Sequence, residues 1–284
     1  MFLERLAGHT LFRHNCTRIH LPSGQEETLS SPYVSSIAAR VLLTLPDHPL
    51  KNDIILKTKE YLLNVMRPTG LIGFIEPNEH RYDLDTQACV YNVLFRFGSE
   101  QIISKVNNIV KFFLENKCNQ TGAYYTWVNK EKNNVDYFVN INIRMFFKTI
   151  GIQDPTLDKY LLASAYKFIR SGSRYYRDLS FPVFLTYLYI NNEGLTRQEQ
   201  YLAATLNRLL YTRKARSVAE DIKSMVHRHM SINGYWKCRL FRQYFNSRDS
   251  YFQSKLLDNL IYYHILINPT FDRHSFRLPV QPAT

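Results

Sequence analysis

Two kinds of helical pattern alternate along this chain, and only a two-layered helical fold accommodates both. One kind carries a single apolar stripe. Ile102, Val106, Ile109, Val110 and Phe113 recur at helical spacing with Lys105, Asn108 and Lys111 between them, and the stretches Asn52 to Val65 and Leu157 to Ile169 look alike. The other kind is apolar nearly all round: Leu84 to Phe97, Tyr137 to Phe147 and Phe181 to Ile190. A striped helix faces water on one side, whereas a helix apolar on every side is packed on both. Alternation therefore predicts an inner layer sheathed by an outer one.

Short glycine-aromatic phrases punctuate the striped helices. Thr69 to Phe74, Thr121 to Trp127, Ser171 to Tyr176 and Asn233 to Trp236 carry Gly70, Gly122, Gly172 and Gly234, a period of roughly 50 residues that marks a repeat of helical hairpins. Glycine there suits a helix C-cap with positive φ, and the aromatics suit plugs between neighbouring hairpins. Inner helices are expected to start at Ser31-Pro32, Asp83, Asp136, Ser180 and Tyr251, after polar or turn-forming residues. Their N-termini then place partial positive charge at one end of the fold. Strand patterns are scarce, and His20 to Glu27 reads as a loop. Residues 1–29 read as an N-terminal extension, 30–268 as one domain, and 269–284, with Pro269, Pro279 and Pro282, as a tail.

The segment with most chemical content is Tyr82-Asp83-Leu84-Asp85-Thr86-Gln87, where two carboxylates sit one residue apart at the start of an apolar helix. Asp83 is a natural N-cap, and Asp85 in the first turn is favoured by the helix dipole, so both acids have a purely structural reading. A buried acid beside another acid is also a proton source, because burial and a neighbouring carboxylate both raise a carboxyl pKa. The residues leave these two readings open. Asp136 with Asn140 and Asn142 divides the same way, between a cap with a buried polar network and a substrate contact.

Composition narrows the field. Hydrophobic residues make up 45% of the 284, which supports a large core, and 20 Tyr with 18 Phe supply many half-buried walls. A net charge of +12 suits nucleic acid, anionic membrane or phosphorylated substrates without choosing among them; nucleic-acid binding would rest on charge alone and is not the reading adopted. The densest basic stretch, Arg208 to Arg216, reads as a solvated helix face or linker. Cys16, Cys89, Cys118 and Cys238 share no CxxC spacing, so neither a disulfide framework nor a zinc ribbon is expected, and Cys89 reads as a buried free thiol. No secretory leader and no apolar run of membrane-spanning length is read, which gives a cytoplasmic expectation. Glu76, Glu79, His80, Asp83 and Asp85 are oxygen-rich and close in sequence, yet they follow no fixed ligand motif, and no metal site is assigned.

Taken together the phrases resemble the terpenoid cyclase / protein prenyltransferase α-toroid superfamily over roughly residues 30–268. Gln120-Thr121-Gly122-Ala123-Tyr124-Tyr125-Thr126-Trp127 is similar to its degenerate repeat with Gln, Gly and Trp. Asp83-Leu84-Asp85-Thr86-Gln87 is similar to the Asp-x-Asp-Asp or Asp-x-Asp-Thr-Thr motif of class II terpene cyclases, with Gln87 in place of Thr. Val135-Asp136-Tyr137-Phe138-Val139-Asn140-Ile141-Asn142 looks like an inner-helix start of bacterial toroids. The resemblance implies an all-α, α/α toroid, a barrel of helical hairpins; the nine or ten helices counted here fall short of a full double ring of twelve. It further implies proton-initiated cyclisation of an isoprenoid, with Asp85 as donor and Asp83 as its partner. Thr86, Asp136, Asn140, Asn142, Tyr82, Trp127, Tyr176 and Trp236 are the substrate-contact candidates, and Tyr124, Tyr125 and Tyr175 are further aromatic candidates. Protonation needs no cofactor; magnesium would enter only with a diphosphate substrate, for which Arg81, Arg144 and Arg174 are nearby basic residues. The alternative is a noncatalytic toroid that binds a lipid-like ligand, a membrane surface or a partner protein. Oligomeric state is not legible.

Overall fold

The structure, a computed structural model, describes residues 17–20, 23–24, 26–75, 82–128 and 133–171. It also describes 175, 176, 184, 224, 242–244, 251–254, 257, 258, 260, 261, 264 and 265. Expectations for the Phe181 to Ile190 helix, its start at Ser180, the phrases at Gly172 and Gly234, the basic stretch at Arg208 to Arg216 and the tail lie outside these residues. Within them, Phe184 alone of its segment is helical and buried.

Three helices are buried almost all round: α1 (Pro32–Leu43), α3 (Leu84–Arg96) and α6 (Tyr137–Thr149). Each is followed by a one-sided partner. In α2 (Pro49–Asn64) only Lys51, Ile54, Thr58 and Leu62 are buried, a stripe at helical spacing. The next outer segment is broken at Ser104-Lys105 into α4 (Glu100–Ile103) and α5 (Val106–Glu115), and it buries Ile102, Ile109 and Phe113. In α7 (Pro155–Ser171), Leu157, Leu161 and Ala165 face inward. The inner helix α3 packs between α1 and α6, and one apolar cluster runs through both layers. Both layers are as the alternating patterns predict.

The inner helices begin where polar caps stand. Ser31 Oγ accepts from the Val34 N–H, with Pro32 in the first turn. Asp83 caps α3 and Asp136 caps α6. The glycine-aromatic phrases at Gly70 and Gly122 are each wedged between consecutive inner-helix starts. Ser31 Oγ donates to the Phe74 carbonyl at 2.8 Å, and Gln87 pairs with both backbone groups of Ile72 at 3.1 and 2.7 Å. The second phrase is held by the Leu84 N–H on the Thr126 carbonyl at 2.8 Å and by Asn140 on both backbone groups of Tyr124. Gly122 has φ +72°, and a β-carbon there would meet the Thr156 Cβ at 2.8 Å, so no other residue fits. Gly70 and Gly122 do not cap helices: they lie in turns several residues past α2 and α5. The residues just past the C-caps of α3 and α6 are instead Gly98 and Gly151, both at positive φ.

The fold adds a small antiparallel sheet of order β2-β1-β4-β3, from β1 (Thr17–His20), β2 (Glu26–Leu29), β3 (Arg242–Tyr244) and β4 (Tyr251–Ser254). Two expectations are corrected. His20 and Glu26 pair with each other at the ends of a hairpin rather than lying in one loop. Tyr251 begins a strand, not a helix, because β1 lies beside it with His20 opposite Tyr251. Helical residues follow at 257, where the Leu257 N–H donates to Ser254 Oγ, so the cap lies three residues later than expected. The chain returns on itself: Thr44, the C-cap of α1, is hydrogen-bonded to His264 Nδ1 at 2.7 Å, and β1 from the first thirty residues pairs with β4. No helix among the described residues is long and apolar enough to cross a membrane.

Candidate active site

The start of α3 holds two acids in different ways. Asp83 is a complete N-cap: Oδ1 accepts the Thr86 N–H at 2.6 Å and Oδ2 accepts the Thr86 hydroxyl at 2.9 Å. Asp85, two residues on, is turned away from the helix backbone. Its Oδ1 accepts from Asn142 Nδ2 on α6 at 2.8 Å, and its Oδ2 is hydrogen-bonded to the Tyr176 hydroxyl. Tyr176 in turn meets the Tyr33 hydroxyl of α1 at 2.7 Å. Four separated stretches of chain thus converge on one carboxyl group.

Both carboxylates are buried, at 6 and 7% exposure. Burial pushes Asp83 up to about 6 against the opposing hydrogen bonds from Thr86. Burial pushes Asp85 further, to about 8, with the Asp83 charge adding to it; the Tyr176 and Asn142 hydrogen bonds oppose the rise, and Asp136 contributes a little more. At neutral pH Asp85 therefore carries its proton. The Tyr176 phenol and the Cys89 thiol are also pushed up, first by burial and next by Asp85, and stay neutral.

The candidate residues sort clearly. Asn142 and Tyr176 touch Asp85. Asp136 accepts the Phe138 N–H at 2.9 Å as the cap of α6. Asn140 spends all three of its hydrogen bonds on the Tyr124 backbone and the Asp136 carbonyl, and Thr86 spends its hydroxyl on Asp83. Tyr82 and Trp127 flank the acids: the Val128 N–H donates to the Tyr82 carbonyl, and Trp127 bridges Asp83 through the backbone. Trp127 Nε1 donates to the Tyr175 hydroxyl at 2.7 Å. Tyr124 points elsewhere, its hydroxyl on Asp154 and its ring among Phe113 and Phe147, as a hairpin plug. Arg144 is buried in an ion pair with Asp158 at 2.6 Å, which occupies it structurally. Trp236, Arg81, Arg174, Glu76, Glu79 and His80 lie outside the described residues. Sequence reasoning missed Tyr33 and Arg40. The signal for Arg40 was available, since it is the lone charge in the apolar run from Ile37 to Leu43.

A divalent cation does not fit these acids. Both oxygens of Asp83 and Oδ1 of Asp85 face N–H or O–H donors, where a metal needs bare lone pairs. Among the described residues no cluster of three His, Cys, Asp or Glu side chains could hold one.

No protein-family model matches the chain, and no curated protein matches it in sequence. Solved structures do match. The type II terpene cyclase MstE from Scytonema, in its apo form, aligns over 95% of this chain and 99% of its own at a TM-score of 0.60 and 13% identity. A variant of MstE in complex with its product merosterolic acid A aligns over 95% and 98% at 0.56 and 11%. Another variant, in complex with its substrate geranylgeranyl dihydroxybenzoate, aligns over 93% and 97% at 0.50 and 11%. With its layered hairpins matched nearly end to end, this chain has the fold of a type II terpene cyclase.

Proposed function

We propose that the protein initiates cyclisation of an isoprenoid by protonation, with Asp85 as the acid. The observation that carries this reading is the placing of Asp85: a carboxyl buried beside Asp83, hydrogen-bonded to Asn142 and Tyr176 instead of capping its own helix, an environment that raises its pKa. In the reaction the Oδ2–H bond breaks, a C–H bond forms at the less substituted carbon of a terminal alkene, and the tertiary cation left behind is attacked by the next double bond of the same chain. Loss of a proton from the final cation ends the sequence, so no electrons are gained or lost. Tyr176 meets Asp85 directly, Tyr82 and Trp127 adjoin the acids through the backbone, and the π faces of such aromatics stabilise positive charge. Burial, and next the Asp83 charge, keep Asp85 protonated in the resting state. The Asn142 hydrogen bond stabilises the carboxylate that remains after transfer. Protonation needs no metal; magnesium would arrive only with a diphosphate head group on the substrate. The near-complete alignment with MstE supports a single domain of this length as sufficient for such a site.

A noncatalytic toroid explains Asp83 fully, and Asp85 only as a buried cross-link to Asn142 and Tyr176. A structural first-turn acid gains from the helix dipole as an anion, whereas burial keeps this one neutral. The test is incubation of the purified protein with prenyl chains of different lengths, bearing diphosphate or aryl carboxylate heads, with and without magnesium, in deuterated water. The reading expects cyclic products carrying one solvent deuterium, and none from Asp85→Asn. Turnover by folded Asp85→Asn would remove the mechanism, and no turnover of any chain by wild type would favour the scaffold.

A further inference from the structure

Arg40 lies in the middle of α1 at 5% exposure, flanked in sequence by the buried Ala38, Ala39, Val41 and Leu42. Its guanidinium is a delocalised cation with five donors and no acceptor. Burying such a charge is costly unless it is well paired, and an apolar side chain of similar size would fill the same space more cheaply. Yet among the described residues no carboxylate forms an ion pair with it. Nη1 donates to Asn142 Oδ1 at 2.9 Å and to Cys89 Sγ at 3.6 Å, and Nη2 donates to Met145 Sδ at 2.8 Å. Both sulfurs are weak acceptors, and the thiol is neutral. The Asn142 oxygen is the strong one.

That contact has a consequence at the other end of the amide. A guanidinium has donors only, so Asn142 must turn Oδ1 toward Arg40 and Nδ2 toward Asp85. A flipped amide would set N–H against N–H on one side and oxygen against oxygen on the other. We infer that Arg40 is a positioning residue for Asp85: by locking the Asn142 amide it keeps an N–H donor on Asp85 Oδ1, leaves the acidic proton to Oδ2, and stabilises the carboxylate that proton transfer creates. This assignment of purpose rests on the reading of Asp85 as the acid. Hydrogen bonds in a chain polarise one another, so a cation on the amide oxygen strengthens the amide N–H as a donor. The geometry thus sets two opposed influences on one carboxyl. Asp83 and burial hold its proton on, and the Arg40–Asn142 chain eases its departure. The other groups facing Asp85 are Cys89 on its own helix, Asp136 at the start of α6, and Tyr33 and Tyr176, of which Asp136 is the further acid.

The test titrates Asp85 directly, by carbon NMR of protein labelled at the aspartate carboxyl carbons, with the signal assigned by its loss in Asp85→Asn. Arg40→Met should raise the Asp85 midpoint by about half a unit to one unit, the range expected for weakening one buried hydrogen bond. Asn142→Leu should raise it at least as much, and adding Arg40→Met to Asn142→Leu should raise it no further. An unchanged midpoint in folded Arg40→Met overturns the proposal. So does an Arg40→Met effect that persists undiminished in the Asn142→Leu background, which would mean that the charge acts directly. Should Arg40→Met fail to fold, the wild type decides: one Asn142 side-chain amide proton must shift along the Asp85 titration, and amide protons that ignore it overturn the wiring. None of these readouts needs a substrate, so they stand apart from the turnover of Asp85→Asn, which decides the reading of Asp85 itself.

Discussion

The starts of α3 and α6 are two versions of one device. Each opens on an aspartate N-cap, Asp83 or Asp136, and each carries an amide four residues later, Gln87 or Asn140, that grips the backbone of the preceding glycine-aromatic phrase through both its donor and its acceptor. The versions part at the position two residues after the cap. In α6 this is Phe138, whose ring packs edge-on against Tyr176 at 5.6 Å. In α3 it is Asp85, whose carboxyl is hydrogen-bonded to that same Tyr176. Everything the repeat needs for folding is present in both, and the acid is the departure. A residue that breaks a structural repeat without serving it is where chemistry is to be sought.

The comparison breaks most visibly at turnover. Asp85→Asn should cost at least about 10²- to 10⁴-fold in cyclisation, the range for removing a general acid, while Asp136→Asn should leave product formation within a few-fold. Next comes pH. Asp85 has its folded pKa raised, so its neutral form favours the folded state; the stability it contributes is full below about pH 4 and is lost as pH rises toward about 8. Asp85 by itself should contribute a loss on the order of 3 to 4 kcal/mol of unfolding free energy between about pH 5 and pH 8, at 1.36 kcal/mol for each unit crossed, read as the difference between the pH profiles of wild type and Asp85→Asn in urea titrations. Smaller and symmetric effects test the shared part. Gln87→Leu and Asn140→Leu should each destabilise by about 3 kcal/mol, because each strands a buried backbone N–H and carbonyl; unequal costs would mean that the two clamps are not equivalent. Smallest are the caps. Asp83→Ala and Asp136→Ala should each cost about 1 kcal/mol, but Asp83→Ala should lower the Asp85 midpoint more than Asp136→Ala does, because the Asp83 charge is the larger of the two that raise it.

Much of the frame was legible because it is written locally. Stripe against all-round burial separated outer from inner helices, and the caps at Ser31, Asp83 and Asp136 marked where inner helices begin. Tyr251 misled because a short apolar run after turn residues looks the same for a strand and a helix, and one of its two partners, His20 in β1, lies more than two hundred residues earlier. The glycines of the phrases were rightly given positive φ at Gly70 and Gly122 but were assigned to caps, where Gly98 and Gly151 stand instead. The acid pair was legible as a pair, but not the difference between its members. Asp83 is explained by its own helix. Asp85 acquires its character from Asn142, Tyr176 and burial, and those partners come from 57 and 91 residues away. Arg40 stands out in the sequence as a charge in an apolar run, but its role becomes readable only through Asn142, 102 residues away.

The protonation state of Asp85 in the intact, ligand-free protein tests the central claim most directly. Infrared difference spectra between wild type and Asp85→Asn at pH 7 should show the carbonyl stretch of a neutral carboxylic acid in wild type, fading only as pH passes about 8. Ionised-carboxylate bands alone at about pH 6 would make Asp85 an ordinary anion and contradict the account.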